Sequence, residues 1–208
     1  KTNKLSSRLK NIKNIEQLFV SLISEWNITD NILINPEFKE FNLINETPKK
    51  DNLTFEDKMM FIDKKTYLPD DILCKVDRAS MANSLETRTP FLNSEIIEFA
   101  SNMPIKYKIK DLKGKLVLRN ILKKFVPENL YERPKMGFGI PLNKWLKSGL
   151  KDWVFDTLNF DKIKRQGIIN PFILQKFLEE HFNGDRNWET KIWIILMFQS
   201  WYDKNYKC

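Results

Sequence analysis

Apolar residues recur along most of this chain with the 3.6-residue period of amphipathic helices, and no segment alternates convincingly as a strand would. Ile15, Leu18, Phe19, Leu22, Ile23 and Trp26 follow the spacing i, i+3, i+4, i+7, i+8, i+11, which predicts a helix with one apolar stripe. Residues 28–51 are polar, carry Pro36 and Pro48, and predict a loop. Thr54 with Asp57 has the form of a capping box and opens a helix over 55–65. Pro69-Asp70-Asp71 predicts a further helix start, with Ile72, Leu73, Val76 and Met81 on its buried side. Asn93 is placed to cap a short helix over 95–102, closed off by Pro104. Gly114 precedes a helix running to Phe125, with Val117, Leu118, Ile121, Leu122 and Phe125 on one side and Pro127 beyond its end. Residues 131–141, with Pro134, Gly137, Gly139 and Pro141, predict a loop with unusual backbone demands. Residues 145–158 read as a helix in two pieces around Gly149. Asn170-Pro171 opens a helix that ends near Gly184. Asn187 then caps a long closing helix whose buried face carries Ile192, Trp193, Leu196, Met197 and Trp201. The pattern predicts a mainly helical chain folded as one unit, without repeat, low-complexity tract or linker.

Composition supports that reading and removes some classes of function. Of 208 residues, 42% are hydrophobic and 12% aromatic, enough for a packed interior and too many for general disorder. Six glycines stand against six tryptophans and fifteen phenylalanines, which favours helices packed through large side chains. The tryptophans fall mostly at helical core spacing and read as core. No apolar run approaches the roughly 20 residues of a membrane span. Cys74 and Cys208 form no CxxC pair and the chain has one histidine, so no zinc site is predicted. Two free thiols in a reducing cytoplasm fit better. The chain opens Lys1-Thr2-Asn3-Lys4, without Met and without a signal pattern, and reads as a stretch from within a longer polypeptide.

Charge adds a candidate ligand class. The net charge is +8, concentrated in Lys106, Lys108, Lys110, Lys113, Lys115, Arg119, Lys123 and Lys124, opposed there only by Asp111. Such a run suits nucleic acid, or a smaller anion such as ATP or pyrophosphate, or is a solvated helix face. The stretch Glu132-Arg133-Pro134-Lys135-Met136-Gly137-Phe138-Gly139 is the best chemical signal. Gly137 and Gly139 let a backbone approach a ligand, their N–H groups can face an anion, and Lys135 adds a mobile positive charge. Without Walker spacing, the same residues also read as a structural turn. Gly114-Lys115 at a helix start offers a second phosphate contact, or only an exposed lysine. His181 reads as a hydrogen-bonded helix-end histidine, and no hydrolytic triad accompanies it. Asp77-Arg78 and Glu86-x-Arg88 place opposite charges close together, which buried or half-buried ion pairs holding helices explain at least as well as catalysis.

Together, these residues resemble a known family. Tyr67-Leu68-Pro69-Asp70-Asp71-Ile72-Leu73-Cys74-Lys75-Val76-Asp77-Arg78-Ala79-Ser80-Met81-Ala82, followed by Ser84-Leu85-Glu86-Thr87-Arg88-Thr89-Pro90-Phe91-Leu92, is similar to the signature of the asparagine synthetase family. Gly114-Lys115, Leu118-Arg119, the 133–142 block, His181-x-x-Gly184, Asn187-Trp188 and 196–201 follow in the family's order. The resemblance covers about residues 55–203; residues 1–50, a leading helix and loop, carry no family motif. It implies that residues 1–208 are the helical C-terminal portion of an α/β synthetase domain of the adenine-nucleotide alpha-hydrolase-like kind, the PP-loop ATP pyrophosphatases. The implied reaction adenylates the aspartate side chain with ATP, releases pyrophosphate, and lets ammonia from glutamine displace AMP. The resemblance makes Lys135 catalytic at the phosphates and Lys115 a second phosphate contact, with Arg133, Gly137 and Gly139 beside them and Mg2+ sharing the charge.

Departures from the family pattern matter too. The Ser-Gly-Gly-x-Asp-Ser pyrophosphate loop, the acidic Glu-x-x-Asp-Glu region and the N-terminal glutaminase domain are absent from these residues. The chain is therefore expected to hold no metal of its own and to be inactive alone. Asn93 stands where many relatives have Asp, and still caps a helix. A cytoplasmic enzyme without membrane or nucleic-acid partners follows, and a homodimer is compatible with it. Two alternatives stay open: a related ligase acting on another carboxylate, and a basic helical module binding nucleic acid or protein.

Overall fold

A computed structural model describes residues 12–26, 30–36, 53–134, 137 and 139–206. In chain order its helices are α1 (Ile15–Ile23), α2 (Phe55–Lys65), α3 (Cys74–Met81), α4 (Ser94–Asn102), α5 (Ile105–Lys108), α6 (Leu116–Leu122) and α7 (Glu128–Tyr131). These are followed by α8 (Leu142–Lys147), α9 (Lys151–Thr157), α10 (Phe160–Gln166), α11 (Pro171–Asn183) and α12 (Glu189–Asn205). A minimal hairpin, β1 (Ile109–Lys110) and β2 (Lys113–Gly114), lies between α5 and α6. The described residues are mainly helical, and none of their helices is long and apolar enough to cross a membrane. Where the sequence shows no linker and predicts one unit, contacts gather the chain into two. Unit 1 is Lys1–Phe41 with Gly137–Cys208, and unit 2 is Asn42–Met136.

Unit 1 has a core of its own. Helix α11 buries Leu174, Phe177, Leu178 and His181, and α12 buries Ile192, Ile195, Leu196 and Gln199. Both sets follow i, i+3, i+4, i+7, so each helix turns one stripe inward. Leu146 of α8, Val154 of α9, Leu158 just past its end, Ile163 of α10 and Ile169 complete the cluster. Each such side chain contributes about 1.5–3 kcal/mol when it leaves water. Local signals set the helix ends. Asn170 accepts from the Phe172 and Ile173 N–H groups, with Pro171 in the first turn, and Gly184 closes α11 at φ 89°. The break between α8 and α9 falls at Gly149, as the pattern predicts. Helix α10 is an addition, capped by Asn159 and closed by Gly167 at φ 69°.

On α12 the expected face needs correction. Met197 and Trp201 are exposed, and Ile195, Gln199 and Lys191 are buried in their place. Residues 192–198 are apolar almost all round, so periodicity alone could not select the inward side. None of the six tryptophans is fully buried; Trp145, Trp153 and Trp201 are exposed.

The N-terminal residues of unit 1 attach to this bundle in two ways. Leu33 and Ile169 form an antiparallel bridge; the Ile34 N–H donates to the Ile168 carbonyl at 2.8 Å and the Asn170 N–H to the Ile32 carbonyl at 2.7 Å. A loop prediction for 28–51 missed this pairing, and residues 27–29 and 37–51 lie outside the described residues. Beside the bridge, the Lys191 ammonium sits 2.6 Å from the Asp30 carboxylate, and its side chain is only 8% exposed. The rings of Trp26, Trp188 and Phe177 surround it at 4.8, 5.0 and 5.5 Å. A desolvated ammonium there is held by one carboxylate and three π faces.

Unit 2 is built differently. The capping box is present: Thr54 Oγ1 accepts from the Asp57 N–H and the Asp57 carboxylate accepts from the Thr54 N–H. Asp57 also pairs with Lys108 of α5 at 3.3 Å. Burial pushes its pKa up, but the Thr54 and Lys108 hydrogen bonds outweigh this and leave it below the ordinary value. Pro69 does not begin a helix. Residues Tyr67–Leu73 form a wide π-helical run that continues into α3. Proline lacks the N–H a tighter turn would use, and the wider turn makes room for its ring. Asn93 caps α4 as predicted, accepting from the Glu95 N–H. Of the described residues in this unit only Ile62 is buried. Val76, Met81, Leu118, Ile121, Leu122 and Phe125, placed by periodicity on the apolar sides of their helices, are all exposed.

Two measurements check the unit 1 account. Lys191→Met breaks this largely buried pair with Asp30 and should cost roughly 3–5 kcal/mol in urea unfolding. His181, wholly buried, accepts the Trp188 N–H at Nδ1. Burial, aided by the Lys147 charge and opposed by Glu189, holds its pKa below the usual value. The unfolded chain therefore binds the proton first. Stability is intact above about pH 6.5 and declines as pH falls below it, and His181→Gln should flatten that slope.

Candidate functional site

The hairpin ahead of α6 sets the backbone of the first candidate site. Lys110 pairs with Lys113, leaving Asp111 and Leu112 as a two-residue turn with φ of 50° and 61°. Both are left-handed, as a type I′ turn requires, yet neither is the usual Asn or Gly. Two strands of two residues with this turn carry almost no strand signal, so the hairpin was not legible in the sequence. Gly114 ends β2, and Lys115 precedes α6 at φ 62° without a side-chain cap. Lys115 is exposed.

Arg119 joins this turn to the second candidate stretch. Its Nε donates to the Gly114 carbonyl at 2.9 Å, and its guanidinium pairs with the Glu132 carboxylate. Both side chains are about two-thirds covered. One arginine on α6 thus holds the Gly114-Lys115 turn and the start of the Glu132-Arg133-Pro134 segment within its own span. A planar guanidinium suits this role because its donors are fixed in a fork. Arg133 is exposed, so its positive charge, like that of Lys115, faces solvent. Neither Arg119 nor Glu132 was singled out for a role from sequence. The signal available was an acid next to Arg133, the first carboxylates after the 106–124 cluster being Glu128 and Glu132.

The other predicted residues are dispersed. Lys135, Met136 and Phe138 lie outside the described residues. Gly137 and Gly139 belong to unit 1, are exposed, and have no described heavy atom within 4 Å of where a Cβ would stand. His181 is a core residue of unit 1, as its helix-end position predicts. Asp77–Arg78 and Glu86–Arg88 are ion pairs, but exposed ones between near neighbours in sequence, which corrects the buried reading. The basic cluster is not a uniform cationic face: Lys108 is matched by Asp57, Arg119 by Glu132, and Lys106 lies 5.1 Å from the Tyr107 ring. Among the described residues, no three His, Cys, Asp or Glu side chains gather as metal ligands.

Arg119→Ala should free the 132–134 segment. A half-buried charge-assisted pair is worth about 1–2 kcal/mol, so cleavage after Glu132 by a glutamate-specific protease should rise roughly 5- to 30-fold under native conditions. An unchanged cleavage rate would show that Arg119 holds nothing.

Comparison with known proteins identifies the family of the chain. The sequence profile described as Asparagine synthase matches residues 3–203, so it includes most of the first fifty residues, for which no motif was evident. The chain is 36% identical over 148 residues to asparagine synthetase [glutamine-hydrolyzing] 1 of Bacillus subtilis, covering 71% of this chain and 23% of that protein. It is 26% identical over 174 residues to asparagine synthetase [glutamine-hydrolyzing] 3 of the same organism, covering 81% and 27%. An amidase of Gibberella zeae, chry2, is 27% identical over 131 residues, covering 60% and 19%. No solved structure matches the chain. The chain spans about a quarter or less of the length of these relatives. It belongs to the asparagine synthase family.

Proposed function

We propose that this chain is the C-terminal, phosphate-side part of the synthetase domain of a glutamine-dependent asparagine synthetase. Such an enzyme adenylates the aspartate side-chain carboxylate with ATP, releases pyrophosphate, and lets ammonia displace AMP to give asparagine. The observation that carries the reading is the Arg119 clamp. It brings the Gly114-Lys115 turn and the Glu132-Arg133 segment, two blocks of the family resemblance, onto one side of α6. Lys115 and Arg133 then present two exposed positive charges to the phosphates, and Lys135, two residues on, acts as the catalytic lysine.

The chemistry needed from these residues is placement and charge stabilisation, not proton transfer. As the α-phosphate is attacked, negative charge grows on the departing pyrophosphate, and a fixed ammonium lowers that barrier. The described residues supply no cage for Mg2+. The magnesium ligands, the pyrophosphate loop, the parallel sheet of a PP-loop fold and the glutaminase domain belong, in this proposal, to parts of the polypeptide outside this chain. The enzyme is cytoplasmic, and the chain alone is inactive.

A second reading within the enzymes is a related ligase acting on another carboxylate; the relatives include a protein described as an amidase as well as asparagine synthetases. A nucleic-acid module is disfavoured, because Asp57 and Glu132 neutralise two of the cluster's cations.

The test is aspartate-dependent pyrophosphate release from ATP and ammonia by the full-length parent. Lys135→Ala should lower kcat roughly 100- to 1000-fold. Equal activity of the variant would remove Lys135 from the site, and release with a different acid would replace the substrate. The 208-residue chain alone should release no pyrophosphate.

A further inference from the structure

Helices α9, α10 and α11 of unit 1 line a cavity of about 410 Å3 that the core does not fill. Its floor is made of core side chains: Leu158, Ile163, Leu174 and Leu178 are each at most 6% exposed. Phe155, Phe160 and Phe182 add three rings to the lining. Neighbours hold these rings in place. Phe155 and Phe182 pack with centroids 4.9 Å apart, and Phe160 meets Phe172 edge-on at 5.4 Å. The space is more than ten times the roughly 30 Å3 share of one water, and it has the size and apolar character of a small-molecule pocket. The caps that Asn159 and Asn170 make on α10 and α11 fix the helices around it, so the shape exists before any ligand arrives.

The polar side of the lining identifies the ligand. Gln175, Glu179 and Asn183 stand at i, i+4 and i+8, one ridge of α11, and all three are exposed. Among the described residues Glu179 is the only charged one in the lining. Gln175 Nε2 donates to Glu179 Oε1 at 2.8 Å and orients the carboxylate. The adjacent Glu180 is already taken, by Lys176 at 3.8 Å and the Trp188 indole at 2.6 Å, whereas Glu179 forms no ion pair among the described residues. Helix α11 also ends at Asn183, and the C-terminal end of a helix favours positive charge. Aromatic rings suit a cation too: Lys151 stands 5.8 Å from the Phe182 centroid. An anion would meet both the carboxylate and the negative helix end, and a neutral apolar molecule would leave the carboxylate unused.

We propose that this cavity binds a small arylalkyl amine, with the aromatic group on the Leu158–Ile163–Leu174 floor and the ammonium at Glu179. The cavity lies wholly within unit 1, and amine binding there is independent of the phosphate chemistry proposed for Lys115 and Lys135.

The experiment is a titration of the 208-residue chain with 2-phenylethylammonium, followed by methyl NMR of Ile163, Leu174 and Leu178. Its neutral and anionic controls are 2-phenylethanol and 3-phenylpropionate. The ammonium should bind with a Kd on the order of 1 mM and shift these methyls more than that of Ile192, which is buried but not in the lining. Glu179→Gln should weaken the ammonium roughly three- to fivefold and leave 2-phenylethanol unchanged. Gln175→Trp, a substitution at an exposed position of the mouth, should block both. Equal or tighter binding of 3-phenylpropionate, or an ammonium affinity that Glu179→Gln leaves unchanged, overturns the amine assignment. Binding that survives Gln175→Trp puts the probe elsewhere and overturns the site. Silent methyls at about 10 mM ammonium overturn it equally, as do core methyls too poorly dispersed for a folded unit 1.

Discussion

An amphipathic helix is stable in water only where something covers its apolar stripe, and that requirement separates the two halves of this molecule. In unit 1 helices α8 to α12 cover one another, and inward stripes on α11 and α12 meet in a cluster of Leu, Ile and Val. In unit 2 the helices are equally well signalled by their caps and spacing, but among the described residues a single side chain, Ile62, reaches full burial. Propensity and capping contribute about 1 kcal/mol each, whereas a stripe of four large side chains represents several times that. Among the described residues, unit 2 therefore has the local signals of its helices without the buried stripe that unit 1 has.

The same helix that shows this most plainly also organises the candidate chemistry. Helix α6 carries Lys115 ahead of its first turn, Arg119 one turn in, and the exposed stripe on another side. Arg119 converts the position of the helix into the position of two loops. Phosphate-side chemistry, as proposed for these residues, would depend on placement within a fraction of an ångström more than on any special reactivity, so what fixes α6 would fix the candidate site. In unit 1 the comparable fastening is the Lys191 ammonium, which ties Asp30 and Trp26 to the C-terminal bundle.

Much of this could be read from the sequence where the signal is local. Thr54 with Asp57, Asn93, Asn170-Pro171 and Gly184 each satisfy or end a turn by their own chemistry, and each stands where the pattern placed it. The resemblance carried by the 67–92 and 133–142 blocks led to the right family. What the sequence hid depends on distant partners. The inward side of α12 was ambiguous because residues 192–198 are apolar all round. The Leu33–Ile169 bridge and the Lys191 cage join residues more than a hundred positions apart. Arg119 looked like one more cation in a basic run, since nothing local marks Glu132 as its partner. Val76 and Met81 were assigned inward because periodicity reports that a stripe exists, not that this chain covers it.

Amide hydrogen exchange on the 208-residue chain tests the central claim most directly, because it reads coverage helix by helix. The account predicts slow exchange along α8 to α12, closing with the stability of a real core, and fast exchange across α3 to α7, whose large apolar side chains are mostly exposed among the described residues. Equally strong protection in both units would show that unit 2 holds a core of its own, and would contradict the account.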